Sequence, residues 1–167
     1  DLEFTDIEKE LAEPTDMRIF SIAEALEKGM SPDRIHELTK IDTWFLYKLK
    51  NIINIKNELE EYRTLENVPP ELLLHSKING FSDFQIARHV LRSEATEIND
   101  DLMKVRKYRK SLGIVPYVRQ IDTLAAEYPA VTNYLYLTYS GAEHDIDYKN
   151  DNKSVIVLGS GAYRIGS

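Results

Sequence analysis

The residues best placed to do chemistry lie in the glycine-rich end, Gly159-Ser160-Gly161-Ala162-Tyr163-Arg164-Ile165-Gly166. It follows Ser154-Val155-Ile156-Val157-Leu158, a run rich in β-branched residues, of the kind that forms the first buried strand of a parallel sheet. Glycines between a strand and a helix can present main-chain N–H groups to a phosphate. The third glycine of a dinucleotide fingerprint would fall at residue 164, which is arginine, and no Gly-Lys-Ser/Thr follows. Gly159, Gly161, Arg164 and Gly166 are the candidate loop residues. A phosphate cradle and a plain strand-to-helix turn both remain open for them.

A second candidate is the basic run Lys104, Arg106, Lys107, Arg109 and Lys110, expected in the last turns of a helix. Cations there complement the negative end of the helix dipole while staying solvated. The sharper reading is a phosphate-contacting surface. The segment from Ser82 to Val90 and the basic helix after it resemble a helix-turn-helix. Asn99, Asp100 and Asp101 argue against DNA, because they sit early in the second helix, where carboxylates would face phosphates. A helix-turn-helix-like nucleic-acid-binding module is the alternative function. His36, His75, His89 and His144 are scattered without ligand spacing, and surface or cap roles are expected for all four. Asp122, Thr123 and Glu127 are polar groups in an apolar stretch. Buried carboxylates need partners, and Arg119 or an arginine of a neighbouring domain can supply one. No pair supports an acid–base assignment, so no catalytic, cofactor-binding or metal residue is expected.

Composition narrows the class. The chain has 167 residues, 43% of them hydrophobic and 29% charged, enough for one domain and the start of a second. A formal charge of -7 disfavours broad binding to nucleic acid or an anionic membrane. The absence of cysteine excludes disulfides, thiolate nucleophiles and cysteine-ligated metals, and it fits a reducing cytoplasm. No apolar run approaches the roughly 20 residues of a membrane span. Both ends read as cuts in a longer protein.

The elements that position these groups are punctuated helices. Residues 1–13 are acidic, with a possible helical turn at Glu8–Leu11. Pro14-Thr15-Asp16 offers a stop and two N-caps for a helix carrying Ile19, Ile22, Ala23 and Leu26, closed by Gly29. Ser31-Pro32 restarts a short helix whose buried face is Ile35 and Leu38. Asp42 caps the longest helix, to about Glu61, with Phe45, Leu49, Ile52 and Leu59 as its stripe and Leu46 and Ile53 beside it. Trp44, in its first turn, either covers the core or anchors a domain interface. Val68-Pro69-Pro70-Glu71 opens a helix through Ile78, closed by Gly80. Ser82 and Gln85 then form a capping box with Phe81 and Ile86 flanking it. A last helix is expected from about Thr96 to Leu112. Gly29-Met30-Ser31…Ile35 and Gly80-Phe81-Ser82…Ile86 echo each other, which suggests two related helical subdomains or a chance likeness.

Beyond Gly113, Pro116 and Pro129 exclude one continuous helix. Tyr134 to Tyr139 alternates with a period of two and reads as an extended, aromatic-rich strap. Residues 141–153 are polar and turn-rich, an exposed linker.

Four segments together resemble the large subunit of carbamoyl-phosphate synthase. They are Lys40-Ile41-Asp42-Thr43-Trp44-Phe45-Leu46, Gly80-Phe81-Ser82-Asp83-Phe84-Gln85-Ile86-Ala87, Gln120 to Tyr139 with its Asp122-Thr123-Leu124-Ala125-Ala126-Glu127 core, and Val157 to Ser167. They occur in the family's order and cover nearly the whole chain. One departure is Ala162, where many relatives carry proline or another residue. The resemblance implies a mostly α fold, a multi-helix oligomerisation domain with an extended C-terminal strap and a truncated α/β strand. Residues 1–14 would be a lead-in from an upstream ATP-grasp half, 15–140 the helical domain, 141–153 the linker, and 154–167 the start of the second half. It implies that this piece holds the two ATP-grasp halves in register for carbamoyl phosphate synthesis from bicarbonate, ATP and glutamine-derived ammonia, in arginine or pyrimidine synthesis. The parent would use ATP with Mg or Mn, and K; the fragment would bind none of these and be inactive alone. The implied partners are the two ATP-grasp halves, a glutamine amidotransferase and further copies of the chain. Trp44, Tyr117, Tyr134 and Tyr136 are the expected interface residues. Residues 154–167, cut from their sheet, are expected to be disordered or adventitiously paired.

Overall fold

In the computed structural model the described residues are 4–94, 98–121, 127 and 134–147. They contain seven α-helices and one two-stranded sheet, a mostly α fold as the sequence predicts. The chain divides into two compact units, Asp1–Pro116 and Tyr117–Ser167.

The first unit starts with α1 (Ile7–Ala12), capped by Asp6, whose carboxylate accepts from the Lys9 N–H. Pro14 ends the acidic lead-in, but neither Thr15 nor Asp16 caps α2 (Arg18–Glu27). That helix begins after Met17 with no side-chain cap. The Arg18 side chain bridges back to the carbonyls of Ala12 and Glu13 instead, satisfying the end of α1. Helix α3 (Pro32–Thr39) and the 18-residue α4 (Thr43–Glu60) start at the expected caps, Ser31 and Asp42. A 3-10 turn (Leu65–Asn67) leads to α5 (Pro70–Ile78), and α6 (Asp83–Ile86) opens with the capping box complete in both directions. Helix α7 (Ile98–Ser111) closes the unit.

The first core packs Leu11, Ile22, Ala25, Leu26, Ile35, Leu46 and Ile53. This corrects the stripe expected on α4. Leu46, Ile53 and Leu59 are buried, whereas Phe45 is 57% exposed and Ile52 39% exposed. Ile19 on α2 is exposed as well. The physical reason is that α4 is apolar on more than one side, and periodicity cannot say which side the chain itself covers.

The sequence echo is carried by the backbone. Gly29 and Gly80 both take left-handed conformations, φ +87° and +92°. In each case the next residue closes a six-residue loop onto the preceding helix, Met30 N–H to Ala25 O at 2.9 Å and Phe81 N–H to Ser76 O at 3.0 Å. Ser31 and Ser82 then cap with equal geometry, and Ile35 and Ile86 are fully buried. The capped helices end at Lys40 and Arg92, non-glycine residues at φ 60° and 58°. The second copy is one residue longer between these landmarks. It absorbs the extra residue in a π-helical turn, Ala87–Leu91, directly after α6. The helix–glycine–capped helix–long helix plan therefore occurs twice, as α2–α3–α4 and α5–α6–α7.

In the second unit, β1 (Tyr117–Gln120) pairs antiparallel with β2 (Leu135–Thr138), Tyr117 opposite Thr138 and Gln120 opposite Leu135. The extended strap thus has a partner that the alternation alone did not reveal. Glu143, His144 and Asp145 were read as exposed linker. All three are solvent-exposed, but His144 and Asp145 line the other edge of β1. The Val118 N–H donates to His144 Nδ1 at 3.0 Å, the Gln120 N–H to Asp145 Oδ2 at 2.8 Å, and the Asp145 N–H to Val118 O at 3.0 Å. The expectation for residues 154–167 lies outside the described residues.

Candidate functional site

The sequence leaves two kinds of site to test, a reacting centre and a binding surface. A cleft of about 1350 Å³ in the first unit is lined by Phe4, Phe20, Glu24, Lys56, Phe84 and His89 among others. Its carboxylates are matched to cations. Glu24 meets Lys28 at 2.5 Å, Glu27 meets Lys56 at 2.6 Å, and Glu60 meets His89 at 2.9 Å and Arg92 at 3.7 Å. The hydrogen bond from Lys28 is the main reason that the Glu24 carboxyl is held below its ordinary range. A carboxyl held low in this way, as Glu24 is, makes a poor proton carrier near neutrality. Among the described residues no group of three or more His, Asp or Glu stands where it could hold a metal ion. No helix among them is long and apolar enough to cross a membrane.

The basic run of α7 separates into different roles. Arg106, Lys107 and Lys110 are exposed, but Arg109 is buried against Asp83. Lys104 meets Asp101 at 2.7 Å. Asp101 also accepts from Ser93, and with Lys104 first and Ser93 second its carboxyl is held below the ordinary range. Asn99 and Asp100 are exposed at the start of α7. Part of the expected phosphate surface is therefore internal, and the end of α7 that would enter a groove is acidic. Of the histidines, His36 and His75 are exposed, His89 faces Glu60, and His144 clasps β1. Arg119 pairs with Asp145 at 3.1 Å, not with Glu127, which is exposed. Asp122 and Thr123 lie outside the described residues, as do Gly159, Gly161, Arg164 and Gly166.

What the first unit does present is an apolar surface on α4. Trp44 is 61% exposed, so it does not cover this chain's core. Its ring meets that of Phe45 edge-on, centroids 4.9 Å apart, and Lys48 Nζ lies 5.2 Å from its centroid. Asp42 fixes this first turn by accepting from the Trp44 N–H at 2.8 Å. Phe45 and Ile52 continue the exposed face, while Ile55 and Leu59, farther along the helix, are buried. In the second unit Tyr134 is 63% exposed and Tyr136 48% exposed, and Tyr117 is half-buried with its ring 5.5 Å from that of His144. The four residues singled out from the sequence therefore fall in two places, Trp44 on α4 and the three tyrosines on the small sheet. Phe45 and Ile52, read from the sequence as core, are exposed on the same helix as Trp44.

Comparison with known proteins gives this surface a context. The family profile described as "Carbamoyl-phosphate synthetase large chain, oligomerisation domain" matches residues 1–113. The chain is 51% identical over 98% of its length to "Multifunctional protein pyr1-3" of Dictyostelium discoideum. It is 48% identical over 98% to "Carbamoyl phosphate synthase arginine-specific large chain, mitochondrial" of Schizosaccharomyces pombe, and 49% identical over 96% to "Multifunctional protein CAD" of Squalus acanthias. It spans only 7%, 13% and 7% of these relatives' own lengths. A profile match over most of the chain and identities near one half throughout place it: the chain belongs to the carbamoyl-phosphate synthetase large-chain oligomerisation-domain family.

Proposed function

We propose that this chain is the structural block of a carbamoyl-phosphate synthase that holds two ATP-grasp halves in register. Carbamoyl phosphate would be made by those halves from bicarbonate, ATP and glutamine-derived ammonia, with ATP, Mg or Mn, and K bound there. No step of the synthesis is assigned to this chain's own residues. Labile intermediates passing between distant sites demand a fixed spacing, and a rigid helical block supplies it.

The observation that carries this reading is the face of α4. Ile55 and Leu59 are buried within this chain, and the face runs on through Ile52, Phe45 and Trp44 without cover from it. Large apolar surfaces left bare on a soluble domain mark contacts with other domains. Trp44 would seat one neighbour, and Tyr117, Tyr134 and Tyr136 would lie on contacts made by the strap. Residues 1–14 would lead in from the upstream half, 15–140 form the block with its strap, 141–153 continue the chain, and 154–167 begin the second half. A glutamine amidotransferase and further copies of the chain are the remaining proposed partners. The cysteine-free sequence suits the cytoplasm; the word mitochondrial in a relative's name makes the mitochondrion the other candidate.

Sedimentation velocity of this chain mixed with separately produced ATP-grasp halves tests the proposal. A faster-moving complex is expected, weakened by Trp44→Ala. ATP turnover by this chain alone, with bicarbonate and an amine donor, would overturn it.

A further inference from the structure

The two edges of the small sheet are treated differently. The Ile121 N–H donates to Tyr134 O at 2.8 Å, which fixes the ladder phase: residues 117, 119 and 121 turn their main-chain groups toward β2, and 118 and 120 turn theirs away. The outward N–H groups of Val118 and Gln120 and the Val118 carbonyl are met by His144 and Asp145. On β2 the same phase turns the N–H and C=O of Leu135 and Leu137 outward, and these have no partner among the described residues. A natural edge strand is usually protected by a charge, a proline or a bulge. Residues 134–138 read Tyr-Leu-Tyr-Leu-Thr, with none of these devices and with exposed side chains from Tyr134 to Leu137.

We infer that the outer edge of β2 pairs antiparallel with the same edge of a second copy of this chain. The segment is close to a palindrome about Tyr136, and a two-fold axis there sets Leu135 opposite Leu137 of the other copy. Those are the outward-facing residues of both strands, so each N–H meets a carbonyl. Tyr136 then lies beside its own equivalent and Tyr134 beside Thr138, with no charge brought against a like charge. The pairing turns two strands into four, and a lone two-stranded ribbon is at best marginally stable. The side chains of Tyr134 and Tyr136 stand on a face of the sheet, not its edge, and stay available to the neighbours proposed above. This inference rests on the self-association in that reading and not on the seating of the synthetase halves.

The contact is small, so the association is weak and is read on the whole 167-residue chain by sedimentation equilibrium over a dilution series. The mass is expected to double on concentrating, at lower concentration as added salt screens the net charge of -7. Leu137→Pro removes one outward N–H and no β1–β2 bond, and is expected to abolish the doubling. Amide exchange checks this without a variant: Leu135 and Leu137 become protected only in the concentrated sample, while Tyr136 is protected in both. A single-chain mass throughout overturns the inference. So does doubling that survives Leu137→Pro, or doubling of the unaltered chain with both leucine amides unprotected, either of which assigns self-association to another surface. Protection of both amides at every dilution also overturns it, since the chain would then be filling its own edge.

Discussion

Arg109 grips Asp83 across 26 residues of sequence, Nε 2.8 Å from Oδ1 and Nη2 2.9 Å from Oδ2, while its Nη1 donates to the Ile114 carbonyl at 2.9 Å. Lys77 reaches the same carboxylate at 2.9 Å and the Phe81 carbonyl at 2.7 Å. One acidic side chain in the first turn of α6 thus ties together α5, α6, α7 and the exit from α7. Burial pushes the Asp83 carboxyl up, but the hydrogen bonds from Arg109 and then Lys77 outweigh it and hold the carboxyl below its ordinary range. Without Arg109 the buried Asp83 carboxylate keeps Lys77 but loses the two-toothed guanidinium contact, and the Ile114 carbonyl loses that donor. Arg109→Met is expected to cost about 3 kcal/mol of unfolding free energy in urea titrations.

The same cluster sets a pH dependence. A carboxyl whose pKa is lower folded than unfolded binds fewer protons in the native state, so its stabilisation is complete above the ordinary carboxylate value of about 3.9. It is lost as pH falls through the depressed native value. Stability should therefore be level near neutrality and fall on the acid side. Asp83→Asn should make that fall shallower, leaving the part due to Asp101 and Glu24. Urea midpoints measured across an acid pH series check the sign.

Ser82→Ala should cost about 1 kcal/mol, because the serine hydroxyl accepts from the Gln85 N–H while Gln85 Oε1 accepts from the Ser82 N–H. Thermal unfolding read by far-ultraviolet circular dichroism measures it. An unchanged midpoint would mean that α6 is nucleated elsewhere.

Two neighbouring residues on α4 should behave oppositely. Leu46→Ala empties a fully buried position in the first core and should cost about 3 kcal/mol. Trp44→Ala removes a larger side chain from an exposed position and should change stability by no more than about 0.5 kcal/mol. Chemical denaturation of both variants side by side decides whether the outer face of α4 belongs to this chain's core.

Gly141→Ala should disturb the small sheet. An added Cβ would stand 2.9 Å from Tyr117 Cβ and 3.2 Å from its Cγ, atoms too near the backbone to swing aside. The expected cost is about 1–3 kcal/mol. Faster amide exchange at Val118, whose N–H His144 holds, reports it.

The parts of this fold legible in the sequence are those that a few adjacent residues settle. Ser31-Pro32, Asp42, the Ser82–Gln85 box and the glycines at 29 and 80 act within one helical turn, and each stands where expected. What escaped is settled at a distance. Phe45 and Ile52 resemble core residues until the covering elements are known. Arg109 reads as one more surface cation until Asp83 is brought beneath it. His144 and Asp145 look like linker until β1 passes within reach, and β1 itself has too little alternation to announce a strand. The π-helical turn left no mark in the apolar pattern, since Ile86, Ala87 and Val90 fit an ordinary helix.

That widened turn has a consequence for how such a chain tolerates length changes. Because the surplus residue is swallowed inside a helix, that helix still ends on a left-handed residue, Arg92, as the shorter copy ends on Lys40. An insertion that would otherwise rotate everything downstream by 100° is spent within five residues. A single-residue deletion between Ala87 and Leu91 should thus be far better accepted than the same deletion in α4, where no slack exists.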